Sequence, residues 1–372
     1  KQNFAGQWGA AKLADGSFDV GNVLIVIAAL GLGRLITLPF AGPISDRFGR
    51  KTSALIGVLC YAVYFVGIVF SPNMYVAYAF AIMGGAANSF LDTGVIPACL
   101  EILVESSGLA TIFTKLAVSL GQLLLPTMIG FVAANELSFK SIFFLMAALI
   151  IIDGILIAFM PVPPMNSNVK SGENAASQKM KFTPAAIALI AIGFTCTSTF
   201  QLWLNCNQEF GKLVGMADPS RIQSYYSTGT IIAVLLTAFL MKKKVQPLKF
   251  LVLYPAIAMT MLIIVYIVRT PFICLLGGFV IGFSAAGGVL QMATAAANDM
   301  FPANKGKITS IIMIASSLAN YIILNIAGIL TKNGGAEGPL HVILLNIGIT
   351  FIGILLAVFV NSQYRKGKVK AS

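Results

Sequence analysis

Long apolar stretches separated by short polar segments run along nearly the whole chain. Each stretch is apolar all round, which is typical of a helix in lipid and not of a soluble helix with one polar face. A helix that crosses about 30 Å of hydrocarbon needs about 20 such residues. The pattern therefore predicts an all-α, polytopic membrane protein with eleven spans, at 20–44, 52–70, 74–104, 108–134, 140–160, 182–212, 222–241, 248–268, 271–300, 307–331 and 339–361.

One polar segment, at 161–181, is longer than the others between spans and is rich in Pro, Ser and Asn. That composition is typical of a linker. Five spans precede it and six follow, which predicts an N-terminal helical bundle at 1–160 and a C-terminal helical bundle with a basic tail at 182–372. If the halves are duplicated six-helix units, we expect a first helix to be missing from this chain. A protein with eleven helices is the alternative.

Composition excludes a soluble globular domain, because 58% of the residues are hydrophobic and only 10% are charged. The net charge of +12 raises the question of a nucleic-acid partner. The compact basic runs, at 242–244 and 365–370, both flank spans, so anionic lipid headgroups explain them better and no nucleic acid is expected. The five cysteines are dispersed without metal-ligand spacing, so no metal and no cofactor is predicted.

Lysine and arginine are distributed unequally over alternate loops. Seventeen lie on the side that includes the linker and the C-terminus, and seven lie on the other side. Positive charge is retained on the cytoplasmic face of a membrane. The linker and the C-terminus are therefore predicted to be cytoplasmic, and Lys1 to lie outside the cell membrane.

The loop between the first two spans carries the sequence GPISDRFGRK at 42–51. It resembles the GxxxDRxGRR signature that the major facilitator superfamily has between its second and third helices. The resemblance implies the major facilitator fold, in which two six-helix bundles rock about a mid-membrane site. It also implies a conformational gate, with Asp46 near the start of a helix at Lys307 and the arginines on Glu101. The gate residues are then Gly42, Asp46, Arg47, Gly49, Arg50 and Glu101.

Four ionisable residues fall at membrane depth in the first half: Arg34, Asp92, Lys115 and Asp153. A charge there is costly unless it is paired or hydrated, so each is a functional candidate. At about 1.5 Å per residue, Arg34 and Asp92 lie roughly 18 and 20 Å from the cytoplasmic ends of their helices. Asp153 belongs to a helix that the family resemblance places at the periphery, where packing or snorkelling is expected.

Asp92 is the predicted proton site. If a cationic partner, Arg34 or Lys115, moves between two states, Asp92 can load and release a proton. Its setting, NSFLDTGVIP at 88–97, is similar to a fourth-helix segment of fucose, galactose and hexose proton symporters, which implies proton coupling at Asp92. Two alternatives stay open. Asp92 forms a permanent structural pair, or Arg34 binds a substrate carboxylate or phosphate with its guanidinium fork.

Polar residues recur at helical spacing and so share helix faces, as at 115–122, which begins with Lys115, and in uncharged form at 201–208 and 291–298. Amides and hydroxyls both donate and accept hydrogen bonds, and a tryptophan ring offers a flat apolar face, which together suit a hydroxylated solute. Hydrogen bonding between packed helices is the alternative. The predicted substrate contacts are Arg34, Asn88, Gln122, Gln201, Trp203, Asn205, Gln291 and Asn320.

Together these features predict a secondary active transporter, not an enzyme, which moves a sugar or a hydroxylated organic acid by proton symport and acts as a monomer. The alternative is a drug/proton antiporter that exports lipophilic compounds. Antiporters of the family carry a Gly-Pro-rich segment in the fifth helix. Here Gly121, Pro126 and Gly130 are present without a glycine beside the proline, which weakens that alternative.

Overall fold

A computed structural model describes residues 1–13, 16–102, 107–161, 182–242, 247–301 and 305–365. Each predicted span corresponds to helix, and within these ranges the β-type pairing consists of one isolated bridge between Lys12 and Phe18. The all-α prediction is confirmed. The helices are α1 (Gln2–Gln7), α2 (Gly21–Phe48), α3 (Arg50–Phe70), α4 (Met74–Ile102), α5 (Ser107–Ala134), α6 (Lys140–Phe159), α7 (Pro184–Leu213), α8 (Arg221–Lys242), α9 (Pro247–Val268), α10 (Pro271–Ile281), α11 (Val289–Met300), α12 (Lys305–Gly334) and α13 (Gly338–Arg365).

Most of these helices have the length and hydropathy of membrane spans. Eight stretches of described residues are long and apolar enough to cross a membrane, and the last, Ile308–Arg365, covers both α12 and α13. Helix α5 has a shorter apolar stretch at Leu116–Val132. Exposed Ile, Leu and Phe side chains are frequent on helix faces, as expected where lipid and not water surrounds the protein.

The chain divides into two compact units. The first comprises Lys1–Asn166 and Asn320–Gly338, and the second comprises Ser167–Ala319 and Pro339–Ser372. The C-terminal part of α12 therefore groups with the helices of the first unit. The predicted boundaries at 160 and 182 stay a prediction, and nearly all of the linker, 162–181, lies outside the described residues.

Backbone-to-backbone packing holds α2 and α4 together in the first unit. A Cβ atom on Gly33 would overlap the Ile82 carbonyl, and one on Gly85 would overlap the Leu30 carbonyl and lie 2.7 Å from the Arg34 amide nitrogen. Small residues allow such close approach between membrane helices. The crossing therefore fixes the height of Arg34 against α4.

Helix α3 packs against α4 in the same way. A Cβ atom on Gly57 would lie 3.0 Å from the Ala87 carbonyl oxygen, and one on Gly94 would lie 2.8 Å from the Ala54 amide nitrogen. Helices α2, α3 and α4 thus form the closely packed part of the first unit, which carries Arg34 and Asp92.

The predicted span at 271–300 is interrupted within the second unit. A π-helical turn at Gly282–Ala286 follows α10, and Gly288 has a φ of +127° before α11 begins. Hydroxyl groups from α8 take up the carbonyls at the break, because Thr230 Oγ1 donates to Gly282 O at 3.1 Å and Thr237 Oγ1 donates to Gly287 O at 3.2 Å. Broken helices are tolerated at membrane depth where neighbours satisfy the backbone in this way.

Candidate functional site

Arg34 and Asp92 form an ion pair inside the first unit. Arg34 lies midway along α2, and its Nη2 donates to Asp92 Oδ2 on α4 at 2.6 Å. The two side chains retain 20% and 33% of their accessible surface. The pair is thus neither sealed in the interior nor fully open.

The adjoining helices supply polar groups around this pair. On α4, Asn88 lies one turn before Asp92 and is half-buried, so the two side chains share a helix face. Tyr61 of α3 interacts electrostatically with both Asp92 and Arg34. Asn320 of α12 packs beside Gly31, about one turn before Arg34, because a Cβ on Gly31 would lie 2.8 Å from Asn320 Cβ. The Oδ1 atom of Asn320 is buried without a partner in the described part of the chain.

Of the predicted site residues, the structure pairs Arg34 with Asp92, and it places Asn88 one turn before Asp92 and Asn320 beside Gly31. Gln122 lies half-buried on α5. The side chain of Lys115, the other predicted cationic partner of Asp92, lies outside the described residues. Asp153 is exposed on α6 among exposed apolar side chains.

A chain of hydroxyl groups runs from the ion pair to the 42–51 segment, and we call it the hydroxyl ladder: Ser89, Thr93, Ser53 and Ser45. Ser89 Oγ donates to the Arg34 carbonyl at 3.2 Å, and Thr93 Oγ1 donates to the Ser89 carbonyl at 2.9 Å. The hydroxyls of Ser53 and Thr93 are 3.1 Å apart. Ser45 Oγ donates to the Thr93 carbonyl at 2.7 Å, so the ladder ties the end of α2 to α4.

The 42–51 segment, predicted as a loop, is helical except at Gly49, because α2 continues to Phe48 and α3 begins at Arg50. An internal ion pair joins the two helices there. Arg50 Nη1 donates to Asp46 Oδ1 at 2.6 Å and to Ser45 Oγ at 2.9 Å. Gly49, between α2 and α3, has a φ of +97°, a conformation that L side chains rarely adopt. The exposed Arg47 guanidinium lies 5.4 Å from the centre of the Phe48 ring.

The distant partners predicted for this gate have side chains outside the described residues. The side chain of Glu101 lies outside the described residues, as does that of Lys307. A Cβ atom on Gly42 would meet no atom within 4 Å, so packing does not require a glycine there. The partners named for Asp46 and the arginines stay predictions.

In the second unit, two side chains of the predicted polar stripe on α7 form a hydrogen bond with each other. Asn205 Nδ2 donates to Gln201 Oε1 at 3.0 Å, and both side chains are half-buried. Gln291 is half-buried on α11. Trp203 is only 2% exposed and packs within a hydrophobic cluster that includes Ile222 and Tyr226, so its ring contributes to packing. Its contact with a substrate stays a prediction.

A second polar region in this unit is neutral and fully buried. The hydroxyls of Thr199 and Thr350 are 2.8 Å apart, and Asn346 Nδ2 donates to the Thr199 carbonyl at 3.0 Å. Thr197 Oγ1 donates to Ser316 Oγ at 2.9 Å. These groups link α7 to α13 and α12, and we call them the buried hydroxyl network.

Sequence reasoning missed Tyr61 and the hydroxyl ladder. Ser89 and Thr93 are spaced i, i+4 on the helix that carries Asp92, which was the available signal. Ser53 and Ser45 gave none, because the crossing of α2, α3 and α4 that brings them to Thr93 is set by glycines far apart in sequence.

Long apolar helices and a charged pair at membrane depth are typical of a membrane transport protein. A family model described as Major Facilitator Superfamily matches residues 11–319. The chain belongs to the Major Facilitator Superfamily and is a membrane transporter, not an enzyme.

Similar proteins span almost the whole chain. The Uncharacterized MFS-type transporter YfkL of Bacillus subtilis (strain 168) is 34% identical over 358 residues, which cover 94% of this chain and 89% of YfkL. Inner membrane transport protein YdiN of Escherichia coli (strain K12) is 33% identical over 360 residues, which cover 94% and 83%. A crystal structure of a D-xylose-proton symporter matches with a TM-score of 0.70 over 91% of this chain and 87% of that chain. At 19% identity, this last likeness establishes the fold alone.

Proposed function

We propose that this transporter carries a small polar organic solute, a sugar or a hydroxylated organic acid, across the cell membrane together with a proton. Asp92 is the proton site and Arg34 is its switching partner. The observation that carries the proposal is the Arg34–Asp92 ion pair at 2.6 Å, partly open and midway along α2. The same fold in a D-xylose-proton symporter supports proton symport.

The switch follows from elementary electrostatics. A carboxylate beside a guanidinium is favoured in its ionised form, and the same carboxyl without that partner in a poorly hydrated site is favoured in its protonated form. Moving the Arg34 side chain away from Asp92 therefore loads a proton, and returning it expels the proton. The glycine crossing of α2 and α4 keeps the two backbones together, so the change takes place in the side chains.

The gate at 42–51 supplies alternating access in this proposal. The Asp46–Arg50 pair holds the end of α2 to the start of α3, and the hydroxyl ladder connects this segment to the helix that carries Asp92. A change at the proton site thereby alters the hydrogen bonds of the 42–51 segment at the cytoplasmic side. The linker and the C-terminus are cytoplasmic, in accordance with the excess of positive charge on that side.

Asp92→Asn is the test of this function. The purified protein is first screened for thermal stabilisation by sugars, hydroxylated carboxylates and lipophilic cations at two pH values. A stabilising compound is then followed into proteoliposomes with and without an imposed pH gradient. Asp92→Asn is expected to abolish accumulation driven by the gradient and to spare exchange of labelled compound at equal pH.

Asp153→Asn is the matched control, because it removes another carboxylate at membrane depth, one that is exposed on α6. It is expected to accumulate the compound as the unmodified protein does. Accumulation that survives in Asp92→Asn overturns the assignment of the proton to this residue. Stabilisation by lipophilic cations alone, with proton release against their movement, replaces the symporter by the drug/proton antiporter.

A further inference from the structure

Arg34 has hydrogen-bonding capacity that Asp92 does not use. A guanidinium carries five N–H donors in a planar fork. One nitrogen, Nη2, contacts a single oxygen of Asp92. Nε of Arg34 is buried, and no acceptor within the described ranges pairs with it. The guanidinium thus holds Asp92 by one corner and leaves another edge for a second acceptor.

Among the described residues around the pair, the charges balance only while Asp92 is ionised. Helix α3 brings Tyr61, which is neutral at physiological pH, and α12 brings the uncharged Asn320. On α4, Asn88 is also uncharged. Protonation of Asp92 turns a neutral pair into a site with one uncompensated guanidinium charge, which a poorly hydrated environment disfavours.

A carboxylate on the solute removes this imbalance. When Asp92 takes up one proton and Arg34 binds one carboxylate, the site returns to zero net charge. A neutral sugar leaves the guanidinium charge uncompensated, and a cationic solute adds a second positive charge. Charge balance therefore couples the uptake of one proton by Asp92 to the binding of one monoanion by Arg34.

The neighbouring amides indicate what else the solute carries. Asn320 Oδ1 is a buried acceptor that no described donor satisfies, and it lies about one turn of α2 from Arg34. A buried acceptor without a donor is costly, and a hydroxyl group of the solute can satisfy it. Asn88, half-buried one turn from Asp92, offers both a donor and an acceptor.

We propose that the solute is a hydroxylated monocarboxylate, that its carboxylate binds the free edge of Arg34 when Asp92 is protonated, and that Asn320 accepts a hydrogen bond from one of its hydroxyl groups. This inference rests on the proposed function and narrows it. It selects the acid from the two solute classes, sugar and hydroxylated acid.

The test compares each acid with the alcohol obtained when its carboxylate is reduced. Lactate is paired with 1,2-propanediol, glycerate with glycerol, gluconate with sorbitol, and a polyhydroxycyclohexane carboxylate with its hydroxymethyl analogue. Each compound is added to proteoliposomes that contain the protein and a trapped pH indicator. At least one acid is expected to drive proton entry, and its paired alcohol is expected to drive none.

Variants separate charge from shape at Arg34. Arg34→Gln is expected to lower proton entry driven by the acid by about tenfold or more, since the carboxylate loses its charged donor. Arg34→Lys keeps the charge but not the fork and is expected to retain an intermediate rate. Asn320→Leu is expected to raise the KM for the acid, and to affect less the KM for the deoxy analogue of that acid, which lacks the hydroxyl group.

The outcomes distinguish this inference from the function on which it rests. Proton entry driven by a neutral polyol or sugar, and by no acid, overturns the monocarboxylate and leaves proton symport in place. Proton release driven only by lipophilic cations overturns both. If no compound of the panel moves protons while thermal stabilisation identifies a neutral ligand, the monocarboxylate is likewise wrong.

Discussion

The two units each hold a polar region among apolar helices, but these regions differ in charge and in access to solvent. In the first unit, Arg34 and Asp92 are charged and keep 20% and 33% of their side-chain surface. In the second unit, Thr199, Thr350 and Asn346 are neutral, are at most 4% exposed and bond to one another.

This difference indicates a functional role for the charged pair of the first unit and a structural role for the neutral region of the second. Neutral groups that satisfy one another in a dry interior gain nothing from a ligand or a proton, and they serve to join helices. In a charged pair that is partly open, the carboxylate can exchange its partner for a proton and the guanidinium can exchange its partner for an anion. Function is therefore expected from the first unit, and helix packing from the buried hydroxyl network of the second.

The largest effect on stability is expected at the crossing that supports the charged pair. Gly85→Ala places a Cβ atom against the Leu30 carbonyl and the Arg34 amide nitrogen, so α2 and α4 must move apart. We expect a loss of about 2 kcal/mol or more in the free energy of unfolding. Thermal unfolding in detergent measures it. Gly42→Ala is the control, because its Cβ meets no atom within 4 Å; an equal loss in both variants would rule out the crossing as the cause.

An intermediate effect is expected in the buried hydroxyl network. Thr350→Val leaves the Thr199 hydroxyl facing an apolar group and should cost about 1 kcal/mol, whereas Thr199→Val with Thr350→Val should recover part of that loss. The pH dependence of transport is expected to stay unchanged in both. A shifted pH dependence would show that the second unit takes part in proton coupling and would break the comparison.

A loss of stability of similar size is expected from Ser45→Ala. The buried Ser45 hydroxyl joins Arg50 to the Thr93 carbonyl, so its removal should cost about 0.5–1.5 kcal/mol. It should also slow transport, because the 42–51 segment is released from the helix that carries Asp92. Thr52→Ala is the control, since the exposed Thr52 hydroxyl donates only to the Phe48 carbonyl of its own turn. Equal transport rates for both variants would remove the hydroxyl ladder from the mechanism.

The smallest effect on stability is expected from Asp46→Asn. Its side chain is 52% exposed, so the ion pair with Arg50 is well screened and contributes about 0.2–1 kcal/mol. The expected change lies instead in transport rate, which should fall while the melting temperature stays nearly constant. A large drop in melting temperature with an unchanged rate would assign this pair to folding and not to gating.

The helices could be predicted from sequence because hydropathy acts locally and continuously along each span. The interruption between α10 and α11 could not, because it depends on Thr230 and Thr237 of another helix, whose hydroxyls take up the freed carbonyls. Glycine content alone, as at Gly287 and Gly288, is compatible with close packing as well as with a break.

The charged residues of the candidate site could be predicted from sequence, but the contacts between them could not. Arg34 and Asp92 stand out because charges are rare in apolar spans, and depth from the helix ends put them at similar heights. The choice of Arg34 as the partner depends on the crossing at Gly33 and Gly85, which no local pattern reveals. The position of Trp203 could not be predicted either, because its packing inside the second unit depends on residues of other helices; its contact with a substrate stays a prediction.

The control of Asp92 by Arg34 can be measured directly by infrared spectroscopy of the reconstituted protein during a pH titration. The band of the protonated Asp92 carboxyl is assigned by its absence in Asp92→Asn. Because removal of the guanidinium favours the neutral carboxyl, the band is predicted to persist to higher pH in Arg34→Gln than in the unmodified protein. Identical titrations of the band in these two proteins would contradict the switch.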